Sequence, residues 1–268
     1  KNRQAFLDFY MDNNFRENDF VVLIDNKGKR KLLKLAKNRC YFTHKGRIEH
    51  NNIIGKPKGS LVYSDKNVSY CVFGVTYNDY VLGLKRKAQI IYPKDIAILL
   101  QWGDVYSGLN ILEAGLGMGA LSIALLRALA DRGRLVTYEI REDFIDEGKK
   151  NIINFFGEEK AIHEVVHGDI YQGFTCIYDR VFLDVPEPWH VLPYLEKGLV
   201  EGGIVMAYIP TILQVKSYVD RLNELECFRD LDIFENIRRP WQVEDLSVRP
   251  KTWIYNHSAF IVFARKIS

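Results

Sequence analysis

Three carboxylates in this 268-residue chain stand where an apolar run gives way to a loop. Glu139 closes Arg134-Leu-Val-Thr-Tyr, Asp169 follows Ile162-His-Glu-Val-Val-His-Gly, and Asp184 closes Arg180-Val-Phe-Leu. Acids at the carboxyl ends of strands lie where open α/β sheets bind their ligands. Glu139, about twenty residues after a glycine-rich turn, is placed to hold ribose hydroxyls. Asp169 can accept from the exocyclic amine of an adenine, and Asp184 lies at the ligand edge of the sheet. The plainer alternatives are a turn former for Asp169 and a helix N-cap for Asp184.

The glycine turn itself is Glu113-Ala-Gly-Leu-Gly-Met-Gly119. Glycine suits such a turn because backbone and ligand approach where a Cβ would clash, and some positions need φ > 0. Asn110-Ile-Leu before it reads as the end of a strand, and Leu121, Ala124, Leu125 and Ala128 after it recur at helical spacing. Strand, turn and helix start together form the front of a nucleotide-binding βαβ unit. A dinucleotide fold wants G-x-G-x-x-G. Here the order is G-x-G-x-G, and no basic residue lies in the turn to meet a pyrophosphate. The ligand expected is therefore a nucleoside without phosphates, of which S-adenosylmethionine is the common one.

Positioning these residues requires a sheet, and the chain supplies alternating elements for one. Pro93 suits the first turn of a helix through Ile96, Leu99 and Leu100, which puts Gln89 and Tyr92 near the cofactor mouth; the simpler reading of both is a capped helix start. A helix is expected over Asp143–Phe156, and a strand over Gly203–Ile209 precedes an amphipathic helix over Leu213–Leu225. Leu231–Ile237 and Phe260–Ala264 form an antiparallel closing pair, with a long basic and aromatic loop between them that includes Arg238, Trp241, Arg249, Lys251, Trp253 and Tyr255. Val185-Pro-Glu-Pro-Trp189 stiffens the loop after Asp184, with Trp189 read as a core aromatic. His163 and His167 share a side of their strand but stand about 13 Å apart at the usual rise, so no metal site is expected.

Residues 1–75 read as a separate β-rich module, a candidate RNA-binding domain, leaving 76–268 for the domain with the cofactor site. Phe20–Asp25 and Arg30–Leu35 are strand-like around Asn26-Lys-Gly28. Lys27, Lys29, Arg30, Lys31, Lys34, Lys37 and Arg39 make this the most basic segment, either a solvated face or a phosphate-contacting patch. The net charge is only +3, so any nucleic-acid reading rests on local patches. No apolar run reaches membrane-spanning length, no signal-peptide core begins the chain, and the 4 cysteines are dispersed. A soluble cytoplasmic protein is expected.

With these residues in place, the chain from about Ala88 onward resembles the TrmI family of tRNA (adenine-N1)-methyltransferases. The resemblance is carried by Gln89-Ile-Ile-Tyr-Pro-Lys-Asp95, the Glu113–Gly119 turn, Tyr138-Glu139, Gly168-Asp169, Leu183-Asp184 with Glu187-Pro-Trp189, and Asn256-His-Ser-Ala-Phe260. It implies an α/β fold: a Rossmann-like class I methyltransferase sheet with an antiparallel last strand, plus a small N-terminal β-barrel-like domain. It also implies a homotetramer that methylates N1 of a T-loop adenosine in tRNA. Cofactor contacts are implied for Gln89, Glu113, Gly115, Gly117, Met118, Gly119, Ala120, Leu121, Glu139, Phe144, Asp169 and Asp184. Asp184 inherits the central catalytic role, and Tyr92 a place beside the target base. Met118 stands where the family usually has Ser, and Phe144 where some relatives have His. Two other readings compete: a non-catalytic RNA-binding subunit of a tRNA methyltransferase complex, and a nicotinamide-dependent oxidoreductase.

Overall fold

The structure is a computed structural model that describes residues 13–84, 89–252 and 257–268. It divides into two compact units, Lys1–Lys85 and Arg86–Ser268. In the first, β1 (Phe20–Asp25), β2 (Arg30–Lys34), β5 (Ser60–Tyr63) and β6 (Ser69–Gly74) form an antiparallel sheet in the order β2-β1-β6-β5. β3 (Cys40–Thr43) and β4 (Gly46–Glu49) make a separate hairpin. The barrel-like module expected from sequence is thus a four-stranded sheet and a hairpin around one core, which includes Phe15, Val21, Leu23, Leu35, Ile48 and Val72.

The boundary lies later than residue 75, because the first helix, α1 (Tyr77–Gly83), packs with the N-terminal strands. Thr76 and Asp79 close a reciprocal cap at its start. Asp79 also takes Arg30 at 2.6 Å, Tyr80 meets Phe20 edge-on, and Gly83 faces Leu32 too closely for a side chain.

The second unit is built on seven strands in the order β12-β15-β11-β10-β7-β8-β9. Its parallel part is β7 (Asn110–Ala114), β8 (Arg134–Glu139), β9 (His163–His167), β10 (Tyr178–Leu183) and β11 (Leu199–Ile209). β15 (Phe260–Lys266) runs antiparallel between β11 and β12 (Phe228–Glu235). The helices are α2 (Pro93–Trp102), α3 (Ala120–Leu129), α4 (Glu142–Phe156), α5 (Leu192–Gly198) and α6 (Ile212–Glu224). β7, β10 and β11 are apolar runs because helices cover both faces of a parallel sheet. Strand order reverses between β7 and β10, and a ligand crevice opens at the carboxyl ends of strands at such a point.

One sequence expectation is corrected here. The long basic loop is partly a hairpin, β13 (Trp241–Glu244) with β14 (Ser247–Pro250), joined by Asp245 and Leu246. Asp245 takes φ 49, the left-handed geometry a two-residue hairpin turn needs. Trp253, Tyr255 and Asn256, singled out from sequence, lie outside the described residues, as does Ala88.

Candidate active site

A cleft of about 400 Å³ opens at the strand-order reversal. Its walls are Gln89, Gly115, Gly117, Tyr138-Glu139-Ile140-Arg141, Phe144, Gly168-Asp169-Ile170-Tyr171 and Asp184-Val185-Pro186. The structure therefore brings together seven of the candidate cofactor residues: Gln89, Gly115, Gly117, Glu139, Phe144, Asp169 and Asp184.

Each reaches the cleft for a local reason. Gly115 (φ 97) ends β7, and a Cβ there would stand 2.3 Å from the Asp184 carbonyl oxygen. Only glycine lets the turn and the end of β10 meet. Gly117 (φ 50) differs, since a Cβ there would meet nothing within 4 Å. Gly117 also lines the cleft, so its open side faces that space. Glu139 holds the turn from below: Gly117 N donates to its Oε2 at 3.1 Å and Arg141 N to its Oε1 at 3.0 Å. Asp169 caps a 3₁₀ turn, accepting from Tyr171 N at 2.9 Å and from Gln172 Nε2 at 3.2 Å. Asp169 is thus a turn former that also lines the cleft. Arg141 lies over the Phe144 ring, 3.7 Å from its centroid, and the two close one wall.

Other candidates sit behind the wall. The side chains of Met118, Ala120 and Leu121 are buried and are not among the residues that wall the cleft. A Cβ at Gly119 would press on Gly148 O and Ile152, both at 3.1 Å, so this glycine serves packing against α4. Gly148, which the sequence reading did not single out, matters in the same way: a Cβ there would meet Leu116 at 2.7 Å and Gly117 O at 3.0 Å. Asn151 adds a bond from Nδ2 to Met118 O at 3.1 Å.

Glu113 is fully buried beneath the turn. Its Oε2 accepts from Ser122 and Thr137 hydroxyls, each at 2.7 Å, and its Oε1 finds no partner among the described residues. Burial drives its carboxyl up to about 8, and the charges of Asp184 and Glu139 add to the rise. Asp184 is exposed at the cleft, while protein lies around its carboxyl. Burial first, then the charge of Glu139, raises its carboxyl to about 7.

Tyr92 begins α2 with extended backbone, and Gln89 Nε2 reaches its hydroxyl at 3.5 Å, so Tyr92 stands one residue behind the cleft wall. The α2 start is fastened by a network that sequence did not reveal. Lys94 Nζ donates to Asp95 Oδ1 (2.6 Å), Asn236 O (2.6 Å) and Ser258 Oγ (2.7 Å). Ser258 and Tyr208 hydroxyls both donate to Asp95 Oδ2, at 2.7 and 3.1 Å. His257 joins Glu235 through Nδ1 and Pro210 O through Nε2, which raises its pKa, the carbonyl contributing most. The His257–Phe260 segment is thus the seam between β15 and the start of α2. His163 and His167 lie on β9 as expected; His163 bonds Thr137 Oγ1 at 3.0 Å, and burial, then Lys149, lowers it to about 4. Among the described residues no group of three or more His, Cys, Asp or Glu could hold a metal ion.

The donor set fits a nucleoside cofactor with no phosphates. Glu139 and Asp169 are carboxyl acceptors on one side, Ile140 and Phe144 give apolar surface, and the turn carries no cation.

Comparison with known proteins agrees with this geometry. A family described as tRNA methyltransferase complex GCD14 subunit matches residues 70–259, and one described as TrmI-like N-terminal matches residues 14–62. A tRNA (adenine(58)-N(1))-methyltransferase TrmI of Thermus thermophilus is 30% identical over 92% of this chain and 96% of its own length. The crystal structure of tRNA (m1A58) methyltransferase TrmI from Aquifex aeolicus superposes with TM-score 0.84 at 28% identity, covering 96% of this chain and 100% of the other. A SAM-dependent O-methyltransferase from Thermotoga maritima superposes with TM-score 0.91 at 28% identity, covering 96% of each chain.

Proposed function

The chain belongs to the family of tRNA methyltransferase complex GCD14 subunits, and from that premise we propose that it transfers a methyl group from S-adenosylmethionine to N1 of adenine 58 in tRNA. The observation that carries the reading is the meeting of Asp184 with the glycine turn, so close that a Cβ at Gly115 would stand 2.3 Å from the Asp184 carbonyl oxygen. Bound in the cleft, S-adenosylmethionine supplies an electrophilic methyl on a cationic sulfur, which departs as a neutral thioether. Glu139 and Asp169 hold the polar groups of the nucleoside, and Gly117 leaves room for it against the backbone.

N1 of adenine carries a lone pair at neutral pH, so no general base is needed to make it a nucleophile. The ring gains a positive charge as the C–N bond forms. Asp184 accepts from the exocyclic amine, which aligns N1, and its carboxylate offsets the growing charge. N1 lies on the pairing edge, so the adenosine leaves its stacked position to enter, with Gln89 and Tyr92 beside it.

The proposal includes a homotetrameric, cytoplasmic enzyme; no described helix is long and apolar enough to cross a membrane. Light scattering checks the assembly state. The non-catalytic reading has against it an open glycine turn and three strand-end acids around one cleft. The nicotinamide reading is set aside by the family.

Incubation with tRNA and methyl-labelled cofactor, then nucleoside analysis, tests the proposal. We expect 1-methyladenosine from position 58, formed far more slowly with Asp184→Ala. Label recovered as a ribose-methylated nucleoside would place this chain with an O-methyl chemistry instead. No label, together with no measurable cofactor binding, would support the silent subunit.

A further inference from the structure

The N-terminal unit holds a second cavity, of about 130 Å³, walled by Asp25, Lys29, Lys31, Tyr41, Thr43 and His44. Strand alternation sorts the basic residues of β2 onto two faces. Arg30 points to α1 and pairs with Asp79, while Lys34 lies over the Phe20 ring. Lys29 and Lys31 fall on the opposite side and line the cavity.

The cavity carries a net positive charge that its own acid does not cancel. Asp25 is fully engaged: Oδ1 accepts from the Lys27 and Lys29 amides, both at 2.9 Å, and Oδ2 from Lys45 Nζ at 2.7 Å. The Lys45 bond, then the Lys29 amide, holds this carboxyl down at about 2. Thr43 is satisfied too, by Gly46 O at 2.9 Å, the Lys45 amide at 3.0 Å and the Tyr70 hydroxyl at 3.3 Å. Neither the Lys29 nor the Lys31 ammonium has an ion-pair partner among the described residues. Two uncompensated cations therefore stand over a saturated polar floor, beside the half-buried ring of Tyr41. Paired ammonium groups next to an aromatic face match a phosphate followed by a nucleoside, the repeating unit of a single-stranded or loop RNA.

We propose that this cavity is an RNA-phosphate subsite, in which Lys29 and Lys31 neutralise the backbone and Tyr41 packs against the adjoining nucleoside. It rests on the reading of tRNA as the substrate, and it narrows a broad basic segment to two lysines and one ring.

The test measures tRNA affinity against salt for the full chain. Lys29→Ala/Lys31→Ala should reduce the log–log salt slope by roughly two, one per lysine. Arg30→Ala should leave the slope unchanged. Tyr41→Leu, checked for folding by its thermal transition, should weaken binding at every salt concentration with the slope intact. A wild-type slope in the double-lysine variant, while the wild type still methylates tRNA, overturns the subsite and leaves the proposed function standing. An equal loss of slope in Arg30→Ala overturns it in favour of a diffuse patch. Equal competition by poly-glutamate and oligouridylate overturns the choice of RNA. Failure of the wild type to bind or methylate tRNA removes the underlying reading as well.

Discussion

At the scale of single residues, the candidate site gathers carboxylates whose charges oppose one another. Asp184 rises to about 7 and Glu113 to about 8, while Glu139 answers to two backbone amides. If Asp184 acts as an anion, kcat/KM for tRNA methylation should climb with pH through about 7 and level above it. Asp184→Asn should lose that acidic limb, because its amide has no proton to shed there. Asp184→Ala should lower the single-turnover rate by about a hundred- to a thousandfold, the scale for losing one preorganised electrostatic group, with tRNA binding retained. An unchanged rate would return this acid to a structural role. Glu113 makes a separate prediction about stability. Its folded carboxyl lies above the ordinary glutamate value of 4.5, so between roughly pH 4.5 and 8 the folded state holds more protons than the unfolded one. Its contribution is present below that window and is lost as pH rises through it. Glu113→Gln, which keeps an acceptor for Ser122 and Thr137, should flatten the fall in stability over this range, as read by denaturant midpoints. An unaltered pH dependence would refute the assignment.

At the scale of elements, the start of α2 is held by chemistry drawn from far along the chain. Asp95 is wholly buried, and Lys94 reaches it, Asn236 and Ser258 at once. Removing the acid leaves a largely buried ammonium uncompensated, which typically costs about 3–5 kcal/mol. Asp95→Ala should therefore destabilise the protein on that scale, and Ser258→Ala by about 1 kcal/mol, the usual worth of one hydrogen bond. If α2 positions Gln89 and Tyr92 for the target base, Ser258→Ala should also lower kcat more than it changes cofactor affinity. Cofactor and rate changing together would contradict that. This network was illegible in sequence because its members are as much as 164 residues apart, and none belongs to a glycine or strand-end motif. The β13–β14 hairpin escaped notice for a different reason. Trp241, Val243 and Val248 are all exposed, so no buried face imposed a two-residue period that outweighed the basic composition.

At the scale of the whole molecule, the parts that were legible are those on which burial imposes a pattern. β7, β10 and β11 read as strands because both faces are covered, and the acids that end β8 and β10 stood out against those runs. Glu113 read as a cofactor contact because it adjoins the turn, yet its carboxylate turns inward to Ser122 and Thr137. Side-chain direction at the end of a strand is set by three-dimensional neighbours, which spacing does not carry. The division into Lys1–Lys85 and Arg86–Ser268 separates the two ligand functions proposed above. S-adenosylhomocysteine at a hundredfold excess over its Kd should stabilise the unit it binds by about 2.7 kcal/mol. Hydrogen exchange should then slow at Gly115–Gly119 and Glu139–Phe144, where Glu139 and Phe144 enclose the ligand, and leave β1 and β6 unchanged. tRNA should produce the complementary effect, slowing exchange around Lys29–Lys31 and Tyr41. Protection of β1 and β6 by the nucleoside alone would show that the N-terminal unit senses the cofactor cleft, and the separation of functions would fail.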